Sequence, residues 1–172
     1  MSESGFGDFE FERKFLVRDL PAVTASDPSP ALIVQAVDVA DVIAGVKFAG
    51  EQDLPICVRG GGHNAAGLGT CDGGIVIDLG RMNAVRVDPA TQRVVVEGGA
   101  TWGDVDHATQ PFGLAVPAGI ISTTGVGGLT LGGGFGYLSR GYGLTIDNLV
   151  SADLVLADGS LVTASEDENP DL

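Results

Sequence analysis

A run of glycines beside a histidine is the feature of this sequence with the clearest chemical use. Arg59 precedes three glycines, and His63 and Asn64 follow them, directly after the apolar run 54–58. Because glycine lacks a Cβ, successive amide N–H groups in such a loop can approach a ligand closely, and a concave set of amides favours a pyrophosphate. A neutral imidazole is also a nucleophile. The loop predicts a cofactor site, and the alternative is a tight glycine turn with an incidental polar residue.

A second glycine-rich segment lies further along the chain. The 27 glycines of the 172-residue chain concentrate in residues 60–74 and 119–143 and follow no fixed period. This distribution excludes a collagen-like chain and a flexible linker. It favours contact between backbone and ligand, although glycines also let two structural elements pack closely.

Four motifs together make the sequence resemble a known family. They are VRGGGHN at 58–64, GIVIDL at 74–79, GGATW at 98–102 and GVGGLTLGGGFG at 125–136. In order, spacing and identity they resemble the FAD-linked oxidase family of berberine-bridge-enzyme type, from about Pro30 to the C-terminus. The resemblance implies a PCMH-type FAD-binding domain, with FAD as the cofactor.

The resemblance also implies roles for individual residues. In this family the histidine of the first loop carries the flavin through the 8α-methyl group of the flavin, and here that residue is His63. Many members have a cysteine as a second tether before the second glycine segment. Ile121 stands at that position here, so a single tether is expected. The residues expected to contact FAD are Arg59, Gly60, Gly61, Gly62, His63, Asn64, Ser122, Thr123, Gly125, Gly127, Gly128 and Leu129.

The resemblance further implies a reaction. Complete members oxidise a small-molecule substrate by passing a hydride to the flavin, and dioxygen then reoxidises the flavin. This chain is predicted to be truncated on its C-terminal side, because family members continue beyond the point that corresponds to Leu172 into a substrate domain with the catalytic base. No catalytic residue is therefore assigned. The alternative function is a non-catalytic FAD-binding fragment or a gene relic.

Two other nucleotide-binding folds fit the residues less well. Gly60, Gly62 and Ala65 have Rossmann spacing after a strand, and Asp78 could bind a ribose. However, residues 65–74 carry four glycines and no apolar helical stripe, whereas a Rossmann unit needs an amphipathic helix there. The Gly-Lys-Ser/Thr signature of a P-loop does not occur in the sequence.

The first residues of the chain differ from the usual opening segment of the family. Their charge alternation resembles the opening strand of CYTH triphosphate-tunnel proteins, whose two carboxylates and one ammonium would here be Glu10, Glu12 and Lys14. A solvated amphipathic strand has the same alternation. We therefore divide the chain into an atypical N-terminal segment, 1–29, and an incomplete FAD-binding domain, 30–172. A remnant of a triphosphate hydrolase is the third functional alternative.

Composition limits the partners. Because the net charge is −14 and only 9 residues are Lys or Arg, nucleic acid is not an expected partner. A dinucleotide remains compatible, since local amides can hold its phosphates. No apolar run reaches membrane-span length and the first residues lack signal-peptide features, so a cytoplasmic protein is expected. No metal site is predicted, and the sequence does not decide the oligomeric state.

Hydrophobic periodicity predicts an α+β arrangement around the glycine loops. Apolar residues with helical spacing between Val39 and Val46 predict a helix over 38–52. Alternating and short apolar runs predict three strands and two hairpins. The strands are expected at 32–35, 56–58 and 75–78, and the hairpins at 85–88 with 93–97 and at 149–156 with 161–164.

A second helix is predicted from its capping signal. Thr101 is a suitable N-cap, and the helix extends to about Thr109 before a proline and a glycine. On this helix we expect Trp102 to pack in the interior and His107 to lie at the surface. Cys57 and Cys71 are expected to be unpaired thiols. Asp147 and Asn148 match a family motif, and either a turn-capping role or flavin contact fits them.

Overall fold

A computed structural model describes residues 28–172, which form three small sheets and four helices. The N-terminal segment that contains Glu10, Glu12 and Lys14 lies outside the described residues. Two 3₁₀ turns, at Gln110–Phe112 and Ile146–Asn148, complete the regular structure. In chain order the elements are β1 Leu32–Gln35, α1 Val39–Glu51, β2 Ile56–Arg59, β3 Ile75–Asp78, β4 Val85–Asp88, β5 Arg93–Val96, α2 Trp102–Thr109, α3 Val126–Leu131, α4 Ser139–Tyr142, β6 Ser151–Val155 and β7 Leu161–Ser165.

A parallel sheet with the order β1-β3-β2 carries the core. The central strand β3 pairs with both neighbours, so that Ile75 lies opposite Leu32 on one side and Ile56 on the other. Ile75 and Ile77 are fully buried, and Val76 is 3% exposed. A strand buried on both faces is apolar at every position rather than at alternate ones. This explains the continuous apolar run in the sequence.

Helix α1 connects β1 to β2 and packs against the sheet. Asp38 caps it, because its Oδ1 accepts hydrogen bonds from the amides of Ala40 at 2.9 Å and Asp41 at 3.1 Å. The helix buries Val46 against the sheet, and a Cβ on Gly45 would lie 3.4 Å from the Ile77 side chain. The predicted helix over 38–52 is confirmed to within one residue at each end.

The two predicted hairpins are also confirmed. Strands β4 and β5 pair antiparallel, as do β6 and β7. The second turn closes with a hydrogen bond of 2.9 Å from the Leu156 amide to the Ser160 carbonyl, and Asp158 Oδ1 accepts the Ser160 amide at 2.8 Å. Val155 packs against the core of the parallel sheet, so this hairpin belongs to the same hydrophobic unit.

Helix α2 begins where its capping residues predict. The Asp104 carboxylate accepts hydrogen bonds from the Thr101 amide at 2.8 Å and from the Thr101 hydroxyl at 2.7 Å. As expected, Trp102 is buried, at 3% exposure, and His107 is exposed. The buried indole N–H of Trp102 has no hydrogen-bond partner within residues 28–172.

The short helices α3 and α4 were not predicted from the sequence. The sequence of α3 is VGGLTL, and glycine is among the poorest helix formers. The helix forms because its start is anchored from outside, through a hydrogen bond of 2.9 Å from the Val126 amide to the Ala100 carbonyl. Tertiary contact here outweighs local propensity. None of the helices in the described part of the chain has the length and apolarity to cross a membrane.

Candidate functional site

The histidine-containing loop, residues 60–64, leaves the parallel sheet at the carboxyl end of β2. Ligand sites of open α/β sheets commonly lie at this edge. Arg59 and Asp78 are partners in the strand register, and their side chains form an ion pair with 3.0 Å between Nη1 and Oδ2. A Cβ on Gly62 would lie 3.2 Å from the Arg59 guanidinium. Arg59 therefore braces the start of the loop against the sheet.

The backbone amides of this loop make no hydrogen bonds to the described residues. Among the described residues, the five amide groups from Gly60 to Asn64 find no hydrogen-bond partner. The loop then turns on itself, because Asn64 accepts the Gly67 amide with its carbonyl and the Leu68 amide with its side chain, both at 3.1 Å. No helix follows in this part of the structure. The Rossmann alternative is thereby excluded, since its helix would start here.

The two glycine segments meet backbone to backbone. A Cβ on Gly61 would collide with the amide nitrogen of Gly125, and a Cβ on Gly125 would collide with that of Gly61. Cβ atoms on Gly60 and Gly127 would lie 3.3 and 3.2 Å from the Gly98 carbonyl oxygen. Only glycine permits this approach. From the sequence, these glycines were expected either to contact a ligand or to let two segments pack closely. The structure shows the close packing, and the amides without hydrogen-bond partners lie next to it.

The second segment is held in place by the start of α2. The amide of Trp102 donates to the Thr124 carbonyl at 3.0 Å, and the amide of Gly103 donates to the Ser122 carbonyl at 2.8 Å. Thr101 and Gly125 form an antiparallel bridge. Residues 122–126 therefore run alongside residues 100–103, and α2 fixes their position relative to the first loop.

His63 reaches across to the second segment. Its Nε2 lies 2.9 Å from the Thr123 hydroxyl oxygen, and both residues are exposed. Its Nδ1 makes no hydrogen bond to any residue that the structure describes. An exposed imidazole with one nitrogen held and one nitrogen open can act as a nucleophile towards a ligand bound across the two loops.

The remaining predicted site residues differ in how open they are. Ser122 is exposed, and a Cβ on Gly128 would meet no atom within 4 Å. Leu129 is more engaged, because its amide donates to the Gly125 carbonyl at 3.2 Å and its side chain fills the space left by Gly119. Ile121, at the position of the expected second tether, is 56% exposed.

The FAD interpretation of the sequence did not include Gly98, Gly99 or Asp78 in the site, and Asp78 was considered only as a ribose ligand in the Rossmann alternative. Gly98 faces both glycine loops, and a Cβ on Gly99 would collide with the Leu79 carbonyl oxygen. Asp78 pairs with Arg59 and also accepts the Gly80 amide at 3.0 Å. The glycine pair was visible as a motif, but only the strand register brings Asp78 opposite Arg59.

Asp147 and Asn148 stabilise a local turn. Asp147 Oδ2 accepts the Leu144 amide at 2.8 Å, and Asn148 Nδ2 donates to the carbonyls of Leu144 at 2.8 Å and Tyr142 at 3.0 Å. Gly143, at φ +80°, allows the chain to turn there. Of the two roles considered for these residues, the capping role accounts for their hydrogen bonds.

The cysteines are free thiols outside the junction of the two loops. Cys57 and Cys71 are unpaired, as expected. Burial, together with the neighbouring Cys57, raises the pKa of the Cys71 thiol to about 11. Within residues 28–172 no group of three His, Cys, Asp or Glu side chains is placed to hold a metal ion.

The junction of the two loops suits an anionic dinucleotide. Open amides are the donors that a pyrophosphate requires, and the glycine surface leaves room for it to approach the backbone. The donor set is backbone rather than Lys or Arg, which agrees with the net charge of −14. The residues present therefore fit a group such as FAD.

Comparison with known proteins identifies the family. The FAD binding domain family model matches residues 30–165. (R)-6-hydroxynicotine oxidase of Paenarthrobacter nicotinovorans is 43% identical over 143 residues, which are 83% of this chain and 31% of that protein. The chain thus spans about a third of the length of the curated relatives that it matches.

Two solved structures share the fold. The crystal structure of 6-hydroxy-D-nicotine oxidase from Arthrobacter nicotinovorans superposes with a TM-score of 0.82 at 42% identity, covering 83% of this chain and 32% of that one. The structure of glucooligosaccharide oxidase from Acremonium strictum superposes with a TM-score of 0.80 at 36% identity. The match covers 84% of this chain and 31% of that one. That oxidase is described with a 6-S-cysteinyl, 8α-N1-histidyl FAD. The present chain therefore belongs to the family of PCMH-type FAD-binding domains of FAD-linked oxidoreductases.

Proposed function

We propose that this chain is the FAD-binding portion of an oxidase-type flavoprotein whose flavin is tethered to His63. The observation that supports it most directly is the meeting of the two glycine loops, with His63 at their junction and five amides beside it that have no hydrogen-bond partner among the described residues. When bound, FAD would supply the redox chemistry, that is, hydride acceptance from the substrate and reoxidation by dioxygen. Residues 30–172 are the proposed FAD-binding unit.

The residues at the junction divide the work of binding. The amides of Gly60, Gly61 and Gly62 would hold the phosphates, and Arg59 keeps their loop on the sheet through its ion pair with Asp78. Gly127 and Gly128 add donors from the second loop, together with Ser122. Because these groups are held by strand pairing and by the start of α2, they are in place before the cofactor arrives.

The class of substrate follows from the relatives only as a proposal. Two named relatives act on 6-hydroxynicotine and glucooligosaccharide, so small polar organic molecules are the proposed class. None of the described residues is assigned as the general base. A non-catalytic FAD-binding module is the second candidate function, and the flavin-bleaching experiment below distinguishes the two.

The tether is tested by the mass of the denatured chain after incubation with FAD. We expect a flavin-sized increment in the wild type and in His107→Ala, and its loss in His63→Ala. The His107 variant is a matched control, because this exposed residue is the second of only two histidines and lies on α2. An increment that persists in His63→Ala contradicts the proposed tether.

Catalysis is tested separately on the flavin-loaded chain. Anaerobic bleaching of the flavin absorbance by 6-hydroxynicotine or a glucooligosaccharide, with oxygen uptake on readmission of air, would support the oxidase. Loading with FAD but no bleaching with either class would favour the non-catalytic fragment.

A further inference from the structure

The imidazole of His63 is held by one ring nitrogen and left open at the other. Nε2 lies 2.9 Å from Thr123 Oγ1, which is a normal hydrogen-bond length. Nδ1 has no partner within residues 28–172. The two nitrogens of an imidazole differ chemically, and the hydrogen bond at one of them decides which can act as a nucleophile. The ring of His63 is therefore already asymmetric.

Thr123 is itself fixed by contacts on both sides. Its neighbours Ser122 and Thr124 accept hydrogen bonds of 2.8 and 3.0 Å from amides at the start of α2. Its carbonyl oxygen lies 3.3 Å from the position of a Cβ on Gly61. A β-branched side chain also has restricted χ1. The segment that carries the Thr123 hydroxyl is therefore held in a fixed position next to His63.

We infer that Thr123 is a positioning residue: its hydroxyl holds Nε2 of His63 and leaves Nδ1, the nitrogen of the N1-histidyl linkage described above, to attach the flavin. This inference rests on the proposed function. Attachment at Nδ1 requires a lone pair there, so Nε2 must carry the proton and Thr123 Oγ1 must accept it. If the hydroxyl donates instead, Nδ1 carries the proton, and neither nitrogen has a free lone pair. In either tautomer the hydrogen bond engages Nε2 and therefore disfavours it as the point of attachment.

The attachment step balances with dioxygen as the oxidant. A C–H bond of the flavin 8α-methyl group breaks and its proton leaves to solvent. The Nδ1–C8α bond forms, and the electron pair passes into the flavin ring system. The Nε2 proton then leaves from the alkylated imidazole. Dioxygen takes the two electrons and two protons to give hydrogen peroxide and returns the flavin to its oxidised form.

The first test observes the tautomer without any cofactor. Nitrogen-15 NMR of the labelled chain at alkaline pH reports which ring nitrogen carries hydrogen, and a His107→Gln variant assigns the signals of the two histidines. We expect Nε2–H to predominate for His63 in the wild type and in Thr124→Val. In Thr123→Val we expect a mixture of tautomers. Wild-type Nδ1–H, or no change in Thr123→Val, would overturn the inference.

The second test follows covalent loading with FAD over time, by fluorescence of the denatured chain. We expect Thr123→Val to load at least about tenfold more slowly, the change that corresponds to one hydrogen bond. Thr123→Ser should recover most of the rate. Thr124→Val is the matched control, because its hydroxyl makes no hydrogen bond among the described residues.

The outcomes separate the two claims. Equal loading rates in Thr123→Val and the wild type would overturn the role of Thr123 while the His63 tether stands. Absence of any adduct in the wild type would overturn the proposed tether and this inference with it. Slow loading that Thr123→Ser fails to recover would point to damaged folding, and would overturn the role of the hydroxyl.

Discussion

At the scale of single residues, the site depends on positions where no side chain fits. Gly61 and Gly125 let two segments that are far apart in the sequence touch through their backbones. Gly134 also permits a close approach, since a Cβ there would lie 2.5 Å from a carbon of the Leu129 side chain. Residue type here decides geometry rather than chemistry.

Replacement of Gly61 should therefore damage the site. We expect Gly61→Ala to lower the free energy of unfolding by about 1–3 kcal/mol, the usual cost of forcing an extra carbon into a packed contact. Urea denaturation measures the change. In the control Gly50→Ala, on α1, the new Cβ meets no atom within 4 Å. That variant should gain up to about 1 kcal/mol. Equal stability of Gly61→Ala and the wild type would contradict the backbone contact.

The thiol of Cys71 should be unreactive in the folded chain. Its Sγ lies 3.8 Å from the Ile75 carbonyl oxygen and 3.9 Å from that of Pro55. Burial and the neighbouring Cys57 raise its pKa to about 11, so little thiolate is present at pH 8. We expect alkylation of Cys71 to be at least about tenfold slower in the native than in the urea-unfolded chain. Peptide mapping after timed alkylation measures it, and equal rates would show that the thiol is not protected.

At the scale of elements, the start of α2 connects the fold to the site. Its first amides donate to Ser122 and Thr124, and its cap joins Thr101 to Asp104. The strands of both hairpins pair as predicted. Glycine-rich α3 depends on the same region, through the hydrogen bond of Val126 to Ala100.

Because of the cap of α2, the free energy of unfolding should depend on pH in the acid range. Hydrogen bonds from the Thr101 amide and hydroxyl lower the pKa of Asp104 below its ordinary value of 3.8. A depressed folded-state pKa gives stability that is present above the unfolded-state pKa and lost as pH falls through the folded-state pKa. We expect Asp104→Ala to lose about 1 kcal/mol at pH 7, and the difference to shrink below pH 3.8.

Chemical denaturation at a series of pH values measures this difference. Asp106→Ala is the matched control on the same helix, because the Asp106 side chain makes no hydrogen bond among the described residues. It should change stability little at any of these pH values. A difference between Asp104→Ala and the wild type that stays constant down to acid would rule out the carboxylate as its source.

At the scale of the whole molecule, the described chain exposes much apolar surface. Leu131 is 81% exposed, Phe135 73% and Tyr137 82%, and all three lie within the second glycine-rich segment, residues 119–143. Isolated exposed apolar residues are common, but a contiguous set of large ones favours association. The core, by contrast, is small and centred on β3.

The 172-residue chain should therefore self-associate in solution. We expect light scattering coupled to size-exclusion chromatography to show an average mass that rises with concentration. Replacing Leu131, Phe135 and Tyr137 together by glutamate should reduce this rise, whereas the same change at exposed Ala90, Thr91 and Gln92, in the turn between β4 and β5, should not. A concentration-independent monomer would contradict the prediction.

The sequence by itself determined the local structure and the family. Helix α1, the three core strands and both hairpins follow from periodicity and turn residues, because burial imposes a period of about 3.6 on helices and 2 on half-buried strands. The four motifs indicated a PCMH-type FAD-binding domain, and the match over residues 30–165 confirms it. His63 and the glycine segments were recognised because their residue types are unusual.

Only the tertiary structure decided how these segments meet. The strand register places Asp78 opposite Arg59. The bridge between Thr101 and Gly125 holds the second glycine loop next to α2. The hydrogen bond between His63 and Thr123 joins residues 60 positions apart and has no local sequence signal. Such contacts depend on distances between elements, which no periodicity encodes. For the same reason α3 escaped prediction, since its stability comes from an anchor outside its own residues.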